Sequence, residues 1–151
     1  MPESWDEEAQ LRYRRAEERL REALTRFPES PALLASLGKC LLFQGRTDEA
    51  LECILTSLEL DPAQCDLLLR AADIFASKEC FEEAMRFYEL YQSLRPGSSK
   101  GYFRMGNCLF RQGYFWSAAD AYCMALSRKP ESRLLKVRLQ DAMRLCATEA
   151  E

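Results

Sequence analysis

Hydrophobic positions along the chain recur at spacings of three and four. Leu34, Leu37 and Leu41 form one such set, which predicts a helix with a single apolar face. A longer period lies over this one. Pro62, Pro96 and Pro130 stand 34 residues apart, and in that frame Gly38 stacks with Ala72 and Gly106, Leu41 with Phe75 and Leu109, Ala50 with Ala84 and Ala118, and Ile54 with Tyr88 and Tyr122. Small and large columns recurring in register predict a repeated pair of helices. Such a pair crosses closely only where one helix lacks a bulky side chain and the other carries a methyl group, while large residues fill the space around the crossing.

The punctuation agrees with that frame. Gly45 in "FQGRTDEA" and Gly113 in "RQGYFWSAA" suit the end of a first helix, and Thr47 is placed to cap the second. Upstream of Pro28, Ala16, Leu20 and Ala23 repeat the second-helix columns, so residues 4–26 read as one long helix ending in half a repeat. After Pro130, "RLLKVRLQDAMRLC" sets Leu135, Leu139 and Met143 on one stripe and puts Gln140 where Gly106 stood one repeat earlier. Bulk is tolerated there if nothing further crosses, as in a capping helix over 131–147 that solvates the end of a stack.

The third copy, with Tyr102, Met105, Gly106, Leu109, Ala118, Tyr122, Ala125 and Pro130, resembles the tetratricopeptide repeat family. The second copy is the weakest, with Ala71 and Ala72 in the Leu-Gly columns. The resemblance implies an all-α fold, an α-α superhelix (TPR solenoid) in one domain over 1–151. Three repeats (31–64, 65–98 and 99–130) would lie between the N-terminal helix and the cap. First helices would line a concave face, second helices a convex one, and the concave face would bind another polypeptide.

Composition narrows the function. The 151 residues are 48% apolar and 30% charged, with 21 basic against 24 acidic side chains and a net charge of −3, which gives no global attraction to nucleic acid or anionic membrane. The opening "MPESWDEEAQLRYRR" has charge where a signal peptide needs an apolar core, and no later run approaches the ~18 apolar residues that suggest a membrane span. A cytosolic protein is expected, with neither nucleic acid nor membrane as partner. Seven cysteines without CxxC spacing and an absence of histidine leave no zinc-ligand pattern, so buried free thiols, no metal and no cofactor are expected. A cysteine nucleophile would lack a histidine base, and no Gly-rich phosphate loop or isolated carboxylate pair stands out. The chain reads as non-enzymatic.

The family frame turns four rows inward: Ala35, Leu69 and Phe103; Lys39, Asp73 and Asn107; Leu42, Ala76 and Phe110, flanked by Phe43, Ser77 and Arg111; and Ala32, Asp66 and Lys100. Leu42, Phe43, Leu69, Phe103 and Phe110 would expose an apolar strip, the kind of surface soluble proteins cover with a partner, unless some of them fill gaps between repeats. Arg70 and Arg104 share a column, and Lys100 precedes Arg104 by one turn. "KGYFRMGNC" is similar to the third-repeat segment of the carboxylate-clamp co-chaperones, which hold acidic C-terminal tails of heat-shock chaperones. The remaining clamp columns depart from that pattern and hold Ala35, Lys39 and Arg70. Lys39, Arg70, Lys100 and Arg104 nevertheless form one cationic set. Micromolar affinity needs about 8 kcal/mol, and shielded charge-assisted bonds supply roughly 1.5–3 kcal/mol each and less when exposed, so reaching it takes two or three of them together with one or two apolar anchors.

Trp116 stands where the other second helices begin with acids. It either packs on the C-terminal helix or beneath Tyr114, or offers a contact on the convex face. The leading expectation is an adaptor or co-chaperone that binds a peptide segment of a partner, an acidic C-terminal tail being one candidate. The layout also resembles the cytosolic class II chaperones that escort translocator proteins of type III secretion, in which the front helix supports a homodimer.

Overall fold

The computed structural model describes residues 2–149, with side chains from residue 6. Eight helices are found among them: α1 (Pro2–Arg26), α2 (Pro31–Phe43), α3 (Thr47–Leu60), α4 (Cys65–Ser77), α5 (Phe81–Leu94), α6 (Lys100–Arg111), α7 (Phe115–Arg128) and α8 (Arg133–Glu149). The fold is all-α and of the tetratricopeptide type. It divides into two compact units, Met1–Leu67 and Leu68–Glu151, with the boundary inside α4.

Each first helix ends the same way. Backbone N–H groups of Arg46, Cys80 and Tyr114 bond to the carbonyls of Leu41, Phe75 and Leu109, while those of Gly45, Glu79 and Gly113 bond to Leu42, Ala76 and Phe110. This paired closure satisfies carbonyls of the last turn and requires a left-handed residue just beyond it. Gly45 has φ +78°, Gly113 +86° and Glu79 +61°, so the middle repeat holds the same geometry with a residue that has a Cβ. Helix starts are less uniform. Ser30 caps α2 by accepting a bond from Leu33 N at 3.4 Å, with Pro31 in the first turn. Thr47, in contrast, is the first helical residue of α3; Arg46 is the cap position and makes no side-chain cap bond.

In the first unit, Leu37, Leu41 and Ala50 are buried, with Leu20 and Leu24 of α1 against them. A Cβ on Gly38 would lie 2.8 Å from Ile54 Cγ1 and 3.3 Å from the Ala50 carbonyl, which is the close crossing expected of that column. Glu17 ties α1 to the α2–α3 turn by accepting from Arg46 Nη1 at 2.6 Å and Gln44 Nε2 at 3.1 Å, and it also accepts from Arg21 Nε of its own helix at 3.0 Å.

The second-unit core centres on α7, with Ala118, Ala119, Tyr122 and Ala125 packed with Leu135 and Ala142 of α8. A Cβ on Gly106 would come within 2.6 Å of the Tyr122 ring. The buried Gln92 side chain donates to the Ser98 carbonyl at 2.7 Å and the Arg95 carbonyl at 3.0 Å, pinning the loop before α6. On α8 the buried line runs through Leu135, Ala142 and Cys146. Met143, expected on the inner stripe, is 58% exposed, because the contact face follows a spacing of seven and then four rather than two steps of four.

Candidate peptide-binding face

Within the second unit the predicted site residues lie on two first helices. α4 carries Leu69, Arg70 and Asp73; α6 carries Lys100, Phe103, Arg104, Asn107, Phe110 and Arg111. Lys100 and Arg104 share a helix face by their spacing of four, and Arg70 and Asp73 by their spacing of three.

Asp73 links the two helices. Its Oδ2 receives Arg104 Nη1 and its Oδ1 receives the Tyr88 hydroxyl at 2.5 Å. Tyr88 is almost fully buried. Burial and then the hydrogen bond to Asp73 push its phenol above the ordinary range, so the group stays a donor. One repeat later the Tyr122 hydroxyl donates to Asn107 Oδ1 at 2.7 Å, and burial likewise raises its pKa, to about 12. Asp73 and Asn107 are thus held from behind by buried tyrosines while keeping part of their surface open. The signal for this was in the columns: polar Asp73 and Asn107 occur opposite Tyr88 and Tyr122, whereas Lys39 stands opposite Ile54.

Other predicted residues divide between surface and framework. Phe103 is half-buried with its ring 6.3 Å from that of Tyr122, and Phe110 meets Phe115 edge-on at 5.1 Å. Leu69 is buried, at 6% exposure, so it does not belong to an exposed apolar strip. The reason is local: α4 also buries Leu67, Leu68, Ala71, Ala72, Ile74 and Ala76 and is apolar round most of its circumference. Arg111 donates to the Ala76 carbonyl at 2.9 Å and lies over the Phe81 ring at 5.2 Å, which closes the end of α4 and secures the start of α5. In the first unit, Lys39 and Leu42 are half-buried, and Phe43 stacks on Tyr13 at 5.0 Å yet remains 62% exposed. Trp116 is 69% exposed and Tyr114 59%, so packing does not account for the tryptophan.

All seven cysteines are free. Cys40, Cys108 and Cys146 are buried as expected, but Cys80 and Cys123 are exposed. Burial raises the Cys108 thiol above its ordinary pKa, the opposite of an activated nucleophile. Among the described residues no cluster of His, Cys, Asp and Glu is arranged to hold a metal ion, and no helix is long and apolar enough to cross a membrane.

A tetratricopeptide repeat model matches residues 9–72, and the 34-residue period of the sequence continues beyond them through Pro130. The chain belongs to the tetratricopeptide repeat family. Such repeats are modules of protein–protein interaction. The chain is 31% identical over 110 residues to the Hsp70-Hsp90 organizing protein of Triticum aestivum; the match spans 73% of this chain and 19% of that protein. Among solved structures, the fold resembles the first tetratricopeptide domain of Spaghetti (RPAP3) bound to the HSP90 peptide SRMEEVD, with TM-score 0.70 and 23% identity, covering 78% of this chain and 93% of that one. It also resembles MamA, with TM-score 0.80 and 16% identity over 93% of this chain and 84% of that one. At these identities the two structures speak for the fold.

Proposed function

We propose that this tetratricopeptide repeat chain is a non-enzymatic adaptor or co-chaperone that binds an acidic C-terminal peptide segment of a partner protein along α4 and α6. The observation that carries the reading is the set Arg70, Lys100 and Arg104 on two linked first helices, with half-buried Phe103 beside it. The wheat relative and the peptide-bound RPAP3 domain support the choice of ligand class. Seven free thiols suit a reducing compartment, so the proposed location is cytosolic.

The energetics are modest. Two charge-assisted bonds of about 1.5–3 kcal/mol each and one aromatic anchor of about 2 kcal/mol sum to about 5–8 kcal/mol, which spans sub-millimolar to micromolar affinity. Fluorescence polarisation with labelled SRMEEVD tests this. Saturable binding between micromolar and sub-millimolar is expected, with Lys100→Glu weakening it about tenfold or more, the loss of one charge-assisted bond. A variant that folds normally and binds equally well would remove the basic end from the account.

A further inference from the structure

The charge balance at the α4–α6 link is unusual for a surface that grips carboxylates. Arg70 on α4 and Lys100 and Arg104 on α6 share these two helices with Asp73, and Arg104 is paired with it. Both oxygens of Asp73 are engaged, one by Arg104 and the other by the buried Tyr88 hydroxyl. The carboxylate is therefore anchored from the core side. An arginine cannot present its full fork to a ligand while one of its nitrogens holds a carboxylate already. A second carboxylate arriving beside Asp73 also meets a like charge at close range.

We infer that Asp73 is the specificity-determining residue of this face: an internal carboxylate that occupies Arg104 and lowers, without abolishing, the affinity for acidic ligand segments. The inference rests on the proposed peptide-binding function of the same face. The cost falls on fully acidic tails, and a ligand segment that brings a hydrogen-bond donor to Asp73 is spared it. Lys100 and Arg70, flanking the pair on α6 and α4, remain as the cations that meet an incoming acid directly.

The chain itself supplies the substitution that separates charge from structure. In the third repeat the corresponding position is Asn107, and Tyr122 donates to it at 2.7 Å as Tyr88 does to Asp73. Asp73→Asn therefore keeps an acceptor for Tyr88 while removing the charge and the acceptor that holds Arg104.

Isothermal titration of SRMEEVD into the full chain and into Asp73→Asn tests the inference, with circular dichroism melts confirming that both fold. The variant is expected to bind SRMEEVD about tenfold more tightly, the gain of one freed charge-assisted contact. An amidated analogue with each acidic residue changed to its amide should gain nothing. Equal or weaker binding of SRMEEVD to the variant overturns the role of Asp73 while leaving the peptide-binding reading standing, provided that the unaltered chain binds. A gain of the same size for the neutral analogue also overturns it, since the effect would not depend on ligand charge. If neither protein binds SRMEEVD, the proposed function fails and the inference fails with it.

Discussion

Tyr122, wholly buried in the second-unit core, reaches across its own repeat to donate to Asn107 at 2.7 Å. The bond fixes a groove-side polar group from the inside. Removing the hydroxyl with Tyr122→Phe should cost about 1 kcal/mol of unfolding free energy, the net worth of one neutral hydrogen bond. Tyr88→Phe should cost more, because its acceptor Asp73 is ionised. Urea denaturation of the two variants checks the order; a larger loss at Tyr122 would contradict it.

Gly106 is the tightest point of the third repeat. Gly106→Ala sets a methyl 2.6 Å from the Tyr122 ring, and overpacking of that kind costs about 1–3 kcal/mol. A Cβ on Gly97 would meet nothing within 4 Å, and its φ is not positive. Gly97→Ala should be neutral or slightly stabilising. Thermal melts of the pair should separate clearly, with only Gly106→Ala shifted down.

Glu79 holds a left-handed backbone, φ +61°, that its counterparts Gly45 and Gly113 adopt without strain. A side chain there costs roughly 1 kcal/mol. The compensating ion pair with Arg111 spans 4.0 Å and leaves the Glu79 side chain 76% exposed, so it contributes little. Glu79→Gly should therefore raise the stability of the second unit by about 0.5–1 kcal/mol. A lower melting temperature would show that the Glu79–Arg111 pair outweighs the strain.

Much of this architecture is legible in the sequence because close crossings restrict residue type. Gly38 and Gly106 have no room for a Cβ, and that exclusion is what makes their columns visible. Glu79 shows the limit. The turn closes through backbone bonds from Glu79 and Cys80, so neighbouring geometry imposes the left-handed residue where sequence offers no glycine. Leu69 shows another. A 34-residue frame reports which column a residue occupies, but α4 is buried on more sides than the frame assumes. The Arg104–Asp73 link is not legible in the sequence for a related reason: the frame puts both residues on the binding face as separate charges, and only the fold pairs them.

Glu17 makes the first unit sensitive to acid. Burial alone would raise its pKa, but hydrogen bonds from Arg21 and Gln44 and the charges of Arg46 and Arg21 together hold it below the ordinary value of 4.5. A depressed carboxylate stabilises the fold above its unfolded pKa and loses that contribution as pH falls through the folded one. Stability from this network should be complete near neutrality and decline below about pH 4.5. Glu17→Gln should flatten that decline while lowering stability at pH 7. An unchanged acid limb, followed by denaturation at several pH values, would contradict the assignment.

Titration of unlabelled SRMEEVD into the nitrogen-15-labelled chain, followed by amide chemical shifts, tests the central claim most directly. The account predicts saturable shifts concentrated on α4 and α6, around Arg70, Asp73, Lys100, Phe103, Arg104 and Asn107, and weaker shifts with the C-terminally amidated peptide. Absence of saturable shifts, or shifts confined to residues outside those two helices, would contradict it.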